Sequence, residues 1–458
     1  MNGKFDLMNQ TTPSALAAPM AKRIFTITLL ICLCSGLSKS QELFDLSSCI
    51  KAGLEQNFSI LIARNQEKIA SNNYTVGNAG YLPTLSGSGR YGGTINTTHQ
   101  SFTDGSESEA NGVNNTSGVV GVDLNMTIFN GFKVKATYQK LNEMKQLGIL
   151  NTQLEMENLA AEIASEYFFF IQQLNLYNNM AYAVELSHER VRIDEERYLL
   201  GSSSKVDLLQ SIVYLNSDSS RFAKQKEVLR ASQVRLFKLM GNVDLGYDIR
   251  PKDTVISIND GLLYDDLLAS TMDQNTSLQI ARRNTTISQY DYKIIASRSY
   301  PYLNLTSGYD YSFNDYETGT VKSQQIHGLS YGLTLGVDIF DGFNRKRERT
   351  NAAIEIENRE HEYSDVVQGV KADLLTIYYA YQNNLKLLKL EEQNLSVARE
   401  NLEIAMERYR LGDLSGLELR EVQKSLLDAE ERLISVKFQA KLAEISLFQI
   451  SGKIMSYL

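Results

Sequence analysis

The sequence predicts a mixed fold, a membrane β-barrel element joined to a long α-helical coiled-coil barrel element, written as a tandem repeat. Three observations predict it. Short motifs recur in the same order a little over 200 residues apart. Heptad seams fill the longest glycine-free run and its counterpart. Period-two alternation of apolar with small residues fills two glycine-rich windows. The chain has 458 residues, 43% apolar and 22% charged, more apolar content than a disordered polymer carries.

The repeat comes first because it sets the frame for every element. Asn57-Phe-Ser-Ile-Leu-Ile-Ala-Arg64 returns as Asn275-Thr-Ser-Leu-Gln-Ile-Ala-Arg282. Tyr81-Leu-Pro83-Thr-Leu85 returns as Ser299-Tyr-Pro301-Tyr-Leu303. Phe129-Asn-Gly131-Phe132 returns as Phe340-Asp-Gly342-Phe343, and Arg197-Tyr198-Leu-Leu-Gly201 as Arg408-Tyr409-Arg-Leu-Gly412. The expected division is a first repeat over 41–245, a linker over 246–260 and a second repeat over 261–458. Strands are expected within about 82–129 and about 301–340, led in by Pro83 and Pro301 and left through Gly131 and Gly342.

The strands show in the alternation. Val120, Val122, Leu124, Met126 and Ile128 alternate with Gly121, Asp123, Asn125 and Thr127. Leu329, Tyr331, Leu333, Leu335, Val337 and Ile339 alternate with Ser330, Gly332, Thr334, Gly336 and Asp338. Such segments of about ten residues fit transmembrane barrel strands, with Asp123 and Asp338 facing a lumen; an ordinary half-buried strand gives the same pattern. The segment from Thr94 to Ser117, rich in Ser and Asn, reads as an exposed loop.

The helices show in the seams. Ile163, Tyr167, Phe170, Leu174, Tyr177, Ala181 and Val184 are spaced alternately four and three apart. Leu374, Tyr378, Tyr381, Leu385, Leu388 and Leu395 keep the register in the second repeat. A helix from Lys133 to Leu199 spans about 100 Å, and helices over 46–78 and 204–240 laid end to end match it. Each repeat is therefore helix, β-hairpin, long helix, helix.

Lys22-Arg23, an apolar run from Ile24 to Leu33, and Ser38-Lys39-Ser40 have the layout of a secretory signal peptide, so 1–40 reads as an N-terminal extension and signal, with Met20 an alternative start. Cys49 is then the single mature cysteine. The net charge of −8 argues against a nucleic-acid binder. His99, His188, His327 and His361 lie far apart without metal-ligand spacing, and the common local enzyme motifs are missing, so no cofactor or catalytic site is expected. Four strands cannot close in hydrocarbon with unpaired edges, whereas three copies supply 12 strands, enough to leave a lumen.

In their order, twice over, these motifs make the chain resemble the outer-membrane efflux proteins, the TolC family, across about residues 42–455. The resemblance implies a homotrimeric channel-tunnel set in outer-membrane lipid and continuing through the periplasm. It implies a passive exit duct of a tripartite efflux or type I secretion system. The duct would be served by an inner-membrane pump and a periplasmic adaptor. It also implies a constriction at the helical turns, with Glu418 and Glu421 as acidic rings and Asp207 and Tyr409 as linking positions. Leu414 stands where a basic link is usual. The local pattern has its own reading: Ser204-Lys-Val-Asp207 and Ser415-Gly-Leu-Glu418 are capping boxes, and a capped helix end still presents its acid. The competing reading of the whole chain is an exported coiled-coil scaffold without a channel, which accounts for the heptads but not for the strands.

Overall fold

The computed structural model describes residues 43–241 and 250–457. The expected signal segment, and residues 242–249 where the first repeat meets the linker, lie outside the described residues. In chain order the elements are β1 (Leu43–Phe44), α1 (Leu46–Gln56), α2 (Phe58–Asn73), α3 (Val76–Ala79), β2 (Thr84–Ser101), β3 (Glu107–Asn130), α4 (Lys133–Leu199) and α5 (Lys205–Leu239). Then follow β4 (Arg250–Pro251), α6 (Tyr264–Gln274), α7 (Thr276–Ala296), β5 (Tyr302–Asp315), β6 (Ser323–Gly336), α8 (Asn344–Leu411), α9 (Gly416–Ile450) and α10 (Ile454–Tyr457).

The long helices have 67 and 68 residues, about 100 Å each. Each pairs with the helix that follows it, α4 with α5 and α8 with α9; α9 also packs on α4, and α7 lies against both α4 and α8. The seam residues Ile163, Tyr167, Phe170, Leu374 and Tyr381 are all buried, as the heptads predict. The helix expected over 46–78 is instead broken at Asn57. Its extended backbone lets Asn57 Oδ1 accept from Ser59 N–H while its Nδ2 donates to the Leu239 carbonyl at 2.9 Å. Asn275 does the same work, accepting from Leu278 N–H and donating to the Ile450 carbonyl at 2.9 Å. One asparagine thus caps the start of its own helix and the end of a neighbour, satisfying orphan groups of both.

The four long strands form one antiparallel sheet in the order β2-β3-β5-β6, leaving β2 and β6 as edges. Register sets Leu85, Leu124, Ser307 and Tyr331 in one row, and Gly87, Val122, Tyr309 and Leu329 in the next row on that face. The opposite face carries Ser86, Asp123, Gly308 and Ser330, then Ser88, Gly121, Asp310 and Gly328. The apolar face is open: Leu329, Tyr331, Leu333 and Leu335 are all more than two thirds exposed. Two expectations are corrected. Most of 94–117 is strand, because β2 and β3 run on past the last β3–β5 pair, Thr116 with Asp315, to a turn closed by Phe102 N–H on the Ser106 carbonyl. Polar residues on both faces hide that ribbon from a period-two reading. In addition, β6 ends at Gly336, so Val337, Asp338 and Ile339 lie beyond the sheet.

The strand-to-helix junctions explain the Phe-Asn/Asp-Gly-Phe motif. Gly131 and Phe132, and again Gly342 and Phe343, are consecutive residues at positive φ. An aromatic residue rarely adopts that conformation. Phe132 is held by edge-on contacts with Phe129 and Tyr300, and Phe343 by one with Phe340. The residue before each glycine caps the long helix: Asn130 Oδ1 accepts from Val134 N–H, and Asp341 Oδ2 from Arg345 N–H. Gly131 has a second reason, since a Cβ there would stand 2.3 Å from the Ser297 carbonyl oxygen.

The alternation makes a direct forecast. Leu333→Arg, on the apolar face, should destabilise the sheet in lipid by about 2–4 kcal/mol at the bilayer midplane and less toward an interface, while Thr334→Arg should fold normally. Denaturant titration of the protein refolded in liposomes measures both; equal losses would show that the two faces meet the same medium.

Candidate functional site

The two helical turns lie at the end of the helices remote from the sheet. Gly201 and Gly412 take positive φ after α4 and α8. Ser202 N–H reaches the Arg197 carbonyl and Asp413 N–H the Arg408 carbonyl, each at 2.9 Å, which is the Schellman ending that requires a left-handed residue. Arg-Tyr-x-x-Gly is therefore first a helix stop. Both capping boxes are formed: Ser204 with Asp207 opens α5, and Ser415 with Glu418 opens α9. Asp207 and Glu418 are held below their ordinary values by hydrogen bonds from Ser204 and Ser415 respectively.

The predicted residues divide in the structure. Glu418 and Glu421 are exposed, and the Glu418 carboxylate accepts from Ser415 N–H at 2.9 Å and Oγ at 2.7 Å. Asp207 accepts from Ser203 and Ser204, so within this chain it is not the partner of Tyr409. Tyr409 is buried and its hydroxyl donates to Asp194 Oδ1 on α4. Tyr198, at the matching place in the first turn, is exposed. Burial, then the bond to Asp194, pushes the Tyr409 phenol above its ordinary value.

Behind Tyr409 lies a buried polar belt that the heptad reading passed over. Asp218 on α5 receives two hydrogen bonds from Arg420 on α9, at 2.7 and 2.8 Å, and one from Ser187 Oγ at 2.5 Å. Arg190 Nη1 donates to Gln423 Oε1 at 3.1 Å. The Arg190 and Arg420 guanidiniums lie 4.8 and 5.1 Å from the Tyr214 ring centroid, and Arg197 lies 5.4 Å from that of Tyr409. Arg190, Asp194 and Asp218 are each at most 3% exposed. The legible signal was spacing: Ala183, Ser187, Arg190 and Asp194 follow each other by four, three and four, a second seam made mostly of polar residues. These bonds tie α4 and α5 to α8 and α9. A cavity of about 810 Å³ lies between the turns, lined by residues that include Arg190, Arg197, Ser203, Tyr214, Tyr409 and Gly416.

With this geometry in view, the comparisons are consistent with one another. The family model for outer membrane efflux proteins matches residues 49–242 and 267–453. Outer membrane protein TolC of Vibrio cholerae is 23% identical over 195 residues, 41% of this chain and 43% of that protein. The cation efflux system protein CusC of Escherichia coli is 22% identical over 314 residues, 64% of each chain. The chain thus spans less than two thirds of either curated relative. The crystal structure of the outer membrane protein VceC from Vibrio cholerae superposes with a TM-score of 0.71 at 16% identity, covering 89% of this chain and 96% of that one. The chain belongs to the outer membrane efflux protein family. Its place is the outer membrane.

Asp218 carries a pH dependence of known sign. Burial alone would raise its pKa, but the bonds from Arg420 and Ser187 more than reverse this and hold it below the ordinary 3.8. Its contribution is present above the unfolded value and lost as pH falls through the lower folded one. Arg420→Met leaves that carboxylate buried and unpaired, and should cost about 3–5 kcal/mol. In the variant burial holds the same carboxylate up instead of down, so the deficit relative to the wild type should be greatest near neutral pH and shrink as pH falls and the carboxylate protonates. Urea unfolding followed by circular dichroism across pH 3–7 reads both effects, and an unchanged pH profile would remove Asp218 from the account.

Proposed function

We propose that the chain is one protomer of a homotrimeric channel-tunnel, a passive exit duct for substrates delivered by an inner-membrane pump and a periplasmic adaptor. The observation that carries this reading is the sheet: four strands, one continuous apolar face, and two open edges at β2 and β6. In hydrocarbon each unpaired backbone group costs several kcal/mol, and closure removes all of them at once. Three copies make 12 strands and continue as a helical barrel of 12 columns. Residues 41–245 and 261–458 are then two structural repeats flanking the linker 246–260. Mass measurement by light scattering in mild detergent, corrected for bound detergent, should give three chains per particle; a monomer retaining native spectra would overturn the reading.

The helical turns form the periplasmic mouth of this duct. Three copies each of Glu418 and Glu421 near one axis focus negative potential and make the channel prefer cations. Tyr409 holds the mouth through its buried bond to Asp194, and Asp207 contributes by keeping the turn capped. Glutamine completes a capping box as glutamate does. Glu418→Gln with Glu421→Gln should therefore leave the fold intact while reducing cation selectivity and cation block in planar bilayers. Tyr409→Phe should raise conductance. Unchanged selectivity in the double variant would show that the two acids serve the helix ends alone.

A further inference from the structure

We propose that the strand-to-helix rim carries two repeat-related anchors for the anionic headgroups of phospholipids, Phe132 with Lys135 and Phe343 with Lys346. The inference rests on the duct reading, which sets this rim at the periplasmic leaflet of the outer membrane. Phe132 and Phe343 hold positive φ and yet are 63% and 70% exposed. Burial therefore does not account for them, and glycine would take the same backbone without strain. Phe132 lies edge-on to Phe129, which pairs with Leu303, and Leu303 pairs with Leu335 on the apolar face of the sheet. The ring thus continues that face past the end of the strands. Phe343 repeats its place, edge-on to Phe340. Aromatic rings at the end of an apolar band sit where a membrane meets water.

Lys135 and Lys346 follow their rings by three residues, which sets ring and ammonium on one side of each helix. Both lysines are exposed. The acids near the rim are taken by other cations: Asp291 by Lys140, Asp341 by Arg345 and Glu348 by Arg298. A cation in the first turn opposes the helix dipole, so these lysines do not serve their own helices. Neither α4 nor α8 has an acid in its first turn, whereas α5 and α9 open with Asp207 and Glu418. The turns at the other end of the sheet carry Asp104, Glu107, Glu109, Asp315 and Glu317 against Lys322. Positive charge is therefore concentrated at the rim where the helices begin. A phospholipid with a net negative headgroup supplies both missing partners. Its acyl chains cover the ring, and its phosphate meets the ammonium one turn on, at the end of a stem that lies along apolar surface.

The test places the full-length protein in phosphatidylcholine vesicles and adds spin-labelled phosphatidylglycerol or spin-labelled phosphatidylcholine. Electron paramagnetic resonance then reads how much of each label is immobilised on the protein. The wild type should hold phosphatidylglycerol severalfold more tightly, and the preference should fade as salt screens it. Lys135→Gln with Lys346→Gln should bring the two labels close to equality while leaving the amount of immobilised phosphatidylcholine unchanged. Phe132→Gly with Phe343→Gly keeps the charges and the backbone, and should also lower the preference. Lys322→Gln, at an exposed lysine on the opposite end of the sheet, should change nothing. If the lysine variant does not insert, the phenylalanine variant and the salt dependence of the wild type decide. No preference in the wild type, or one undiminished in the lysine variant, would overturn the anchors and leave the duct reading standing. Absence of immobilised lipid with either label would instead overturn the duct reading, since the apolar face of the sheet would then meet no bilayer.

Discussion

Every backbone N–H and C=O of a sheet in hydrocarbon must be paired, and four strands in a row cannot meet that condition alone. The chain carries one apolar sheet face and two unpaired edges, β2 and β6. Much else follows from it. An apolar face open on the isolated chain is ordinary if lipid covers it and anomalous otherwise. The strand ends must pass into helices without leaving orphan groups, which is the task of Asn130 and Asp341 at the junctions. The two left-handed residues at each junction are the conformational cost of turning a strand directly into a helix of about 100 Å.

The helical part is held by a different balance. Near the middle of the molecule the seams are apolar: Ile163, Tyr167, Phe170 and Ile171 pack with Leu236 and Phe237. Toward the turns the buried positions of α4 become mostly polar, with Ser187, Arg190 and Asp194 beside Ile193. Buried ion pairs add little net stability compared with apolar packing, but they are costly to break one partner at a time. A belt of this kind defines a single register between the two helical hairpins. It also concentrates the cost of separating them in a few bonds, those of Tyr409 with Asp194 and of Arg420 with Asp218.

The near-symmetry of the two halves stops at these residues. Tyr198 and Tyr409 occupy matching places in matching helix stops, yet one is exposed and the other buried against Asp194. The position matching Asp194 in the second half is Ala405, which packs in the apolar cluster around Tyr409. The two turns thus share a backbone solution and differ in chemistry, as suits hairpins with different neighbours.

What the sequence determined by itself was whatever depends on local periodicity and local caps. The long helix from Lys133 to Leu199 was legible to the residue, because no glycine or proline interrupts its core and the seam is apolar. Both capping boxes were legible because their bonds join residues three apart. The tertiary structure alone decided the partners. The break at Asn57 exists because Leu239, 182 positions away, needs a donor at its helix end. The bond from Tyr409 to Asp194 joins residues 215 apart, and within this chain the Asp207 carboxylate accepts from the serines of its own cap. The polar belt escaped a heptad reading built on apolar residues, and the extended β2–β3 ribbon escaped a period-two reading built on contrast between faces. At Asn57, at Tyr409 and in the polar belt the deciding group is a long-range hydrogen-bond partner, and periodicity carries no information about which partner that will be.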